Sequence, residues 1–128
     1  MLEFLIVGLG GFIGCCLRFG MTKIMLPLNL QFPIATLISN IIAGFFVGFI
    51  IGLEKDTLLV TPKTKLFVIT GMMGGLSTFS TFSLETIKLF SQSKFISASG
   101  NILLNITLSF IGVLLGMLTA KMLLRKSI

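Results

Sequence analysis

Four stretches of this chain carry no charged side chain, and they set what it can fold into. They cover residues 4–17, 34–53, 66–84 and 95–120. A helix crosses the hydrocarbon core of a bilayer with about 20 apolar residues. The second stretch meets that length outright. The first is shorter, but it continues past Arg18 through Phe19, Gly20 and Met21 to Lys23. A signal peptide would place basic residues before its apolar run and a small-residue cleavage site after it. Here only Glu3 precedes the run and no such site follows, so it reads as a transmembrane helix. Pro33 suits the first turn of the second helix. The spacing predicts an all-α membrane protein: one domain over 1–128, with helices at about 2–23, 33–53, 65–88 and 97–122.

Composition agrees and narrows the chemistry. Charged residues make up 11% of the chain, where a soluble domain carries about 25%. There is no His, Trp or Tyr, which removes imidazole general-base catalysis, Ser-His-Asp triads and His-ligated metals. The chain is not read as an enzyme. Cys15 and Cys16 are adjacent, a spacing that suits neither a structural disulfide nor a zinc site, so they read as packing residues. Residues 8–14, GLGGFIG, only superficially resemble a G-x-G-x-x-G pattern, since Ile13 stands at its last glycine; they lack any βαβ context and carry no dinucleotide reading. The net charge of +6 sits beside the apolar runs and reads as charge at the membrane surface. With four spans, one side collects Lys55, Lys63, Lys65, Lys121, Arg125 and Lys126. The other collects Lys23, Lys88 and Lys94, joined by Arg18 if it reaches that surface. The bias favours cytoplasmic termini only slightly and is compatible with insertion in both orientations.

Small residues repeat every four positions in the second run, at Asn40, Gly44, Gly48 and Gly52. The fourth run carries Asn101, Asn105 and Ser109, also four apart, then Gly112, Gly116 and Ala120. Such stripes let membrane helices approach closely. Asn40 and Asn105 lie inside apolar runs, where an unpaired amide is costly, so each must bind a neighbouring helix, water or a substrate. The third run is the densest in polar groups. Gly71, Gly74 and Gly75 precede Ser77, Thr78, Ser80, Thr81 and Ser83, which predicts a broken helix near 74–78. Phe79 and Phe82 then share a helical face. Phenyl edges and hydroxyl donors there suit an anion, and freed backbone carbonyls suit a cation. The residues alone leave both open.

Three segments carry a family resemblance over essentially the whole chain. Residues 10–19, GGFIGCCLRF, are similar to a first-helix motif G-G-x-x-G-A-x-x-R-Y; 32–40, FPIATLISN, to P-x-G-T-L-x-x-N; and 74–82, GGLSTFSTF, to a highly specific third-helix signature. All three belong to the Fluc (CrcB) fluoride channels. This chain departs from them with Cys15 for Ala, Phe19 for Tyr and Ala35 for Gly. The resemblance implies an antiparallel, dual-topology homodimer with two pores, in the plasma membrane as a multi-pass protein. It implies that Asn40 lines the pore and donates to fluoride, that Phe79 and Phe82 form an aromatic box, and that Ser80 and Thr81 add hydroxyl donors. It implies a central structural Na⁺ at the dimer interface, held by the carbonyls of Gly74 and Ser77. A polar track on the fourth helix falls on Asn101, Asn105 and Ser109. Arg18 falls at an anion-attracting vestibule, or else closes helix ends.

The function expected is passive fluoride export, driven by the membrane potential, relieving fluoride toxicity without ATP or proton coupling. Two alternatives differ in kind. A small multidrug-type exporter of four helices needs a carboxylate at membrane depth in its first helix, which Glu3 does not supply. A non-transporting assembly subunit explains the glycine stripes but not residues 77–82. The partners expected are fluoride, lipid and a second copy of the chain, with no nucleic acid.

Overall fold

The structure, a computed structural model, describes residues 1–54 and 60–125. Helix α1 (Leu2–Met25) runs into a 3-10 turn, Leu26–Leu28, where Pro27 removes a backbone donor. Asn29 follows with φ 51, a left-handed conformation that asparagine tolerates. Helix α2 (Ile34–Glu54) starts directly after Pro33. The third span begins with α3 (Pro62–Lys65), capped by Thr61, whose hydroxyl accepts the Thr64 N–H at 3.2 Å. It continues as a π-helical stretch, Leu66–Met73, then α4 (Gly74–Leu76) and α5 (Phe79–Ser91). Helix α6 (Phe95–Arg125) follows. No strand occurs among the described residues.

Among the described residues, four segments are long and apolar enough to cross a membrane: Leu2–Leu28, Ile34–Glu54, Pro62–Ser91 and Phe95–Arg125. The first, third and fourth run beyond the predicted 2–23, 65–88 and 97–122. At the start of α6 the Ala98 N–H donates to the Lys94 carbonyl at 3.0 Å, so Ser97 and Ser99 lie within the first turns rather than before them. The polarity is the reverse of a soluble globule. Phe4, Ile96 and Phe110 point outward, at 82%, 91% and 69% exposure, while Asn101 is fully buried. A surface of that kind is stable against lipid, not water.

The helices pack in two close pairs. Gly44 and Gly48 of α2 meet the backbone of α6 at Ser109 and Val113, and Gly112 and Gly116 of α6 meet α2 at Ile41 and Phe45. On the other side α1 lies against the π-helical stretch and α4. A Cβ on Gly75 would stand 2.6 Å from the Gly11 carbonyl oxygen, so only hydrogen fits there. Ala43, Met73 and Leu76 form the small apolar core between the pairs. Lys65 pairs with Glu54 at one end of the fold. Of the basic residues counted for orientation, Lys55 and Lys126 lie outside the described residues.

Candidate functional site

Helix α4 stops at Leu76 because Ser77 is extended, with φ −72 and ψ 153, and so is Thr78, with φ −152 and ψ 112. Thr78 then caps α5: its hydroxyl accepts the Thr81 N–H at 3.2 Å. The Thr78 N–H, which a continuous helix would give to Gly74, donates instead to Asn40 Oδ1 at 2.9 Å. Each diversion frees a carbonyl: Gly74 loses its helical partner to Asn40, and Ser77 loses its partner to the Thr78 hydroxyl. The Gly75 carbonyl, freed the same way, accepts from Arg18 Nε at 3.1 Å. Arg18 therefore serves the end of α4, one of the two roles the sequence left open for it.

Asn40 stands on α2, and its Nδ2 donates to Asn105 Oδ1 on α6 at 2.9 Å. Asn105 Nδ2 in turn donates to the Asn101 carbonyl at 3.0 Å and to Asn101 Oδ1 at 2.8 Å. Asn101 Nδ2 donates to Thr86 Oγ1 at 2.9 Å, and the Thr86 hydroxyl donates to the Phe82 carbonyl at 2.8 Å. Asn105 and Thr86 are 5% and 6% exposed. Buried amides demand partners, and here each finds one on another helix or one turn away.

A groove of about 400 Å³ runs beside this network. Its lining includes Asn40, Gly74, Ser77, Phe79, Asn105 and Ser109, with Phe82 as well. The Phe79 and Phe82 ring centroids are 5.6 Å apart with the planes inclined at 52°. Phe82 is buried, whereas Phe79 is 80% exposed. Most of the predicted residues are thus brought to one groove. Ser80 and Thr81 are not on its lining: Ser80 is exposed, and Thr81 Oγ1 accepts from the Thr78 hydroxyl at 2.9 Å. Arg18 is not on it either.

Three polar residues were not singled out from sequence. Thr36 Oγ1 donates to Glu85 Oε1 at 2.8 Å, joining α2 to α5. Glu85 lies in the second turn of α5, and its Oε2 is buried without a partner among the described residues. Thr86 anchors Asn101. Thr36 and Asn40 share a helix face at four-residue spacing, which was the available signal.

The donor set suits a small ion of either sign at different points. Amide and hydroxyl hydrogens with phenyl edges suit an anion on the groove wall. The two freed carbonyls of Gly74 and Ser77 are the hard oxygen donors that a cation takes. No group of three or more Cys, Asp or Glu side chains gathers to hold a metal ion among the described residues.

Comparison with known proteins bears on which ion. The family described as CrcB-like protein, Camphor Resistance (CrcB), matches residues 5–117. The chain is 45% identical over 118 residues to a fluoride-specific ion channel FluC of Clostridium novyi, covering 91% of this chain and 92% of that one. It is 42% identical over 124 residues to the FluC of Elusimicrobium minutum, covering 95% and 96%. With the FluC of Paraburkholderia phymatum the identity is 38% over 124 residues, covering 97% and 98%.

Proposed function

This chain belongs to the CrcB-like family, and on that premise we propose that it is a fluoride-specific ion channel of the bacterial plasma membrane. It is a multi-pass membrane protein and a transport protein, not an enzyme. The observation that carries the reading is the Asn40 amide beside the Phe79–Phe82 pair on one groove wall.

Fluoride is small and strongly hydrated, so a pore must replace its water with donors. Asn40 Nδ2 has two hydrogens, and one is given to Asn105. The other is available to fluoride, as are the Ser109 hydroxyl and the positive edges of Phe79 and Phe82. Ser80 and Thr81 supply hydroxyls on the adjoining turn of α5. A narrow, donor-lined path disfavours the larger chloride ion. Fluoride leaves the cell down its electrochemical gradient, which relieves its toxicity. A potential of 100 mV contributes about 2.3 kcal/mol per charge, or about 50-fold in concentration at balance.

The working unit is an antiparallel homodimer with dual topology and two pores. Phe79, exposed at 80% although it borders the groove, is accounted for by a second copy that covers it. The extended Ser77–Thr78 pair serves as the mid-membrane break of the third span. The carbonyls of Gly74 and Ser77, doubled by the second copy, would hold a structural Na⁺, which supplies positive charge at the centre of the dimer. Arg18 adds positive charge near the mouth while it holds the end of α4.

The test is ion release from liposomes containing the purified protein. Fluoride should leave far faster than chloride under the same gradient. Equal release of both ions, or no fluoride release from an intact dimer, refutes the channel. A terminal tag should be labelled from both faces of the membrane; labelling from one face alone refutes dual insertion.

A further inference from the structure

The side-chain amides around the groove form a chain whose direction is fixed at both ends by backbone groups. At one end the Thr78 N–H can only donate, so it must meet Asn40 Oδ1. Asn40 Nδ2 must then face Asn105, and the atom that receives it must be Oδ1. At the other end the Asn101 carbonyl can only accept, so it must meet Asn105 Nδ2. The two constraints agree. No alternative placement of nitrogen and oxygen in Asn40 or Asn105 satisfies both ends. The chain runs on through Asn101 and Thr86 to the Phe82 carbonyl, so it begins just before Phe79 and ends at Phe82.

We propose that Asn105 is a positioning residue and not a fluoride donor: it fixes the Asn40 amide so that Asn40 alone presents an amide hydrogen to the groove. This rests on the fluoride-channel reading above and assigns work within it. The Asn105 NH₂ group is engaged by both the carbonyl and the Oδ1 of Asn101, at 3.0 and 2.8 Å. Its Oδ1 is engaged by Asn40. What it turns toward Asn40 is therefore an acceptor, which repels an anion. Asn40 has one N–H bound to Asn105, and its second has no partner among the described residues. Asn105 borders the groove, yet its hydrogens point along its own helix, toward the preceding turn.

The chain contains four asparagines, Asn29, Asn40, Asn101 and Asn105, so ¹⁵N-asparagine labelling gives four side-chain amide signals, assignable by single substitutions. The intact protein in lipid nanodiscs is titrated with sodium fluoride against a sodium chloride control. The Asn40 amide protons should shift downfield and saturate, while those of Asn105 move by only a small fraction as much. A shift at Asn105 equal to that at Asn40 overturns the proposal. So does fluoride release from liposomes with no movement at Asn40. If no amide responds and no fluoride is released, the channel reading falls and this one with it. Asn105→Val removes the acceptor and should lower fluoride release about 10-fold, with the fluoride response of Asn40 broadened or lost. A folded Asn105→Val dimer with wild-type release and a wild-type Asn40 response would also overturn it.

Discussion

Replacing Gly48 by alanine should slow fluoride release by pulling α2 away from α6, although Gly48 stands about 12 Å along α2 from Asn40. A Cβ at this position would lie 2.8 Å from the Val113 carbonyl carbon and 2.9 Å from its Cα, and closer still to the oxygen. All three atoms are backbone, so no side-chain rotation relieves the overlap. Ordinary van der Waals contact begins near 3.4 Å. The contact with the carbonyl carbon alone requires the helices to separate by about 0.6 Å, and the closer oxygen requires more. A rigid separation of that size stretches the 2.9 Å bond from Asn40 to Asn105 to about 3.5 Å, where a hydrogen bond is all but lost. Overpacking of this kind costs about 1–3 kcal/mol, offset by about 1 kcal/mol of helix propensity. The variant should thus fold with slightly reduced stability and fail mainly in transport. The assay is fluoride release from liposomes, paired with unfolding followed by helical circular dichroism. Gly8→Ala is the control, because a Cβ there meets nothing within 4 Å. Wild-type release from Gly48→Ala, with stability matching Gly8→Ala, would refute the link between glycine packing and the amide network.

Other substitutions address single contacts. Phe79→Ile or Phe82→Ile removes a phenyl edge from the groove and should cut fluoride release while leaving the elution volume on size-exclusion chromatography unchanged; normal release in both argues against an aromatic contribution. Thr78→Ala deletes the α5 cap and should cost about 1 kcal/mol in unfolding measurements, with Thr78→Ser close to wild type. Arg18→Gln removes the cation that holds the Gly75 carbonyl and should lower both stability and fluoride release, whereas a change in neither would place the guanidinium outside the working structure. Lys65→Ala breaks a half-exposed ion pair with Glu54 and should alter stability by less than about 1 kcal/mol.

The apolar runs showed the spans because a bilayer imposes both a length and an absence of charge, and both are properties of the sequence itself. Asn40 and Asn105 were legible for the same reason: an amide amid apolar residues must be answered by something. What answered them was not legible. That Asn40 receives the Thr78 N–H depends on how α2 crosses the third span, and no periodicity records a crossing. The third helix was drawn only to 88, with Glu85 near its end, because Lys88 and the polar residues after it suggested that the helix was ending there. Instead α5 continues to Ser91, and the carboxylate meets Thr36 from another helix. The extra residues at the start of α6 were hidden for a related reason. Ser97 and Ser99 look like a helix boundary, but serine is accommodated inside the first turns once the backbone bond from Ala98 to Lys94 has formed.

The amide chain also ties the site to the order in which the protein is made. The bond from Thr78 to Asn40 joins residues 38 apart, and the bond from Asn40 to Asn105 joins residues 65 apart. A growing chain that has released its first three spans can bend the third around Asn40, but the amide Nδ2 still lacks the oxygen that holds it. That oxygen arrives with the final helix, the last of the four to leave the ribosome. The selective element, although carried mostly by the first three spans, is completed only once α6 has been made, so a chain that stops before Asn105 lacks the bond that holds the Asn40 Nδ2 group.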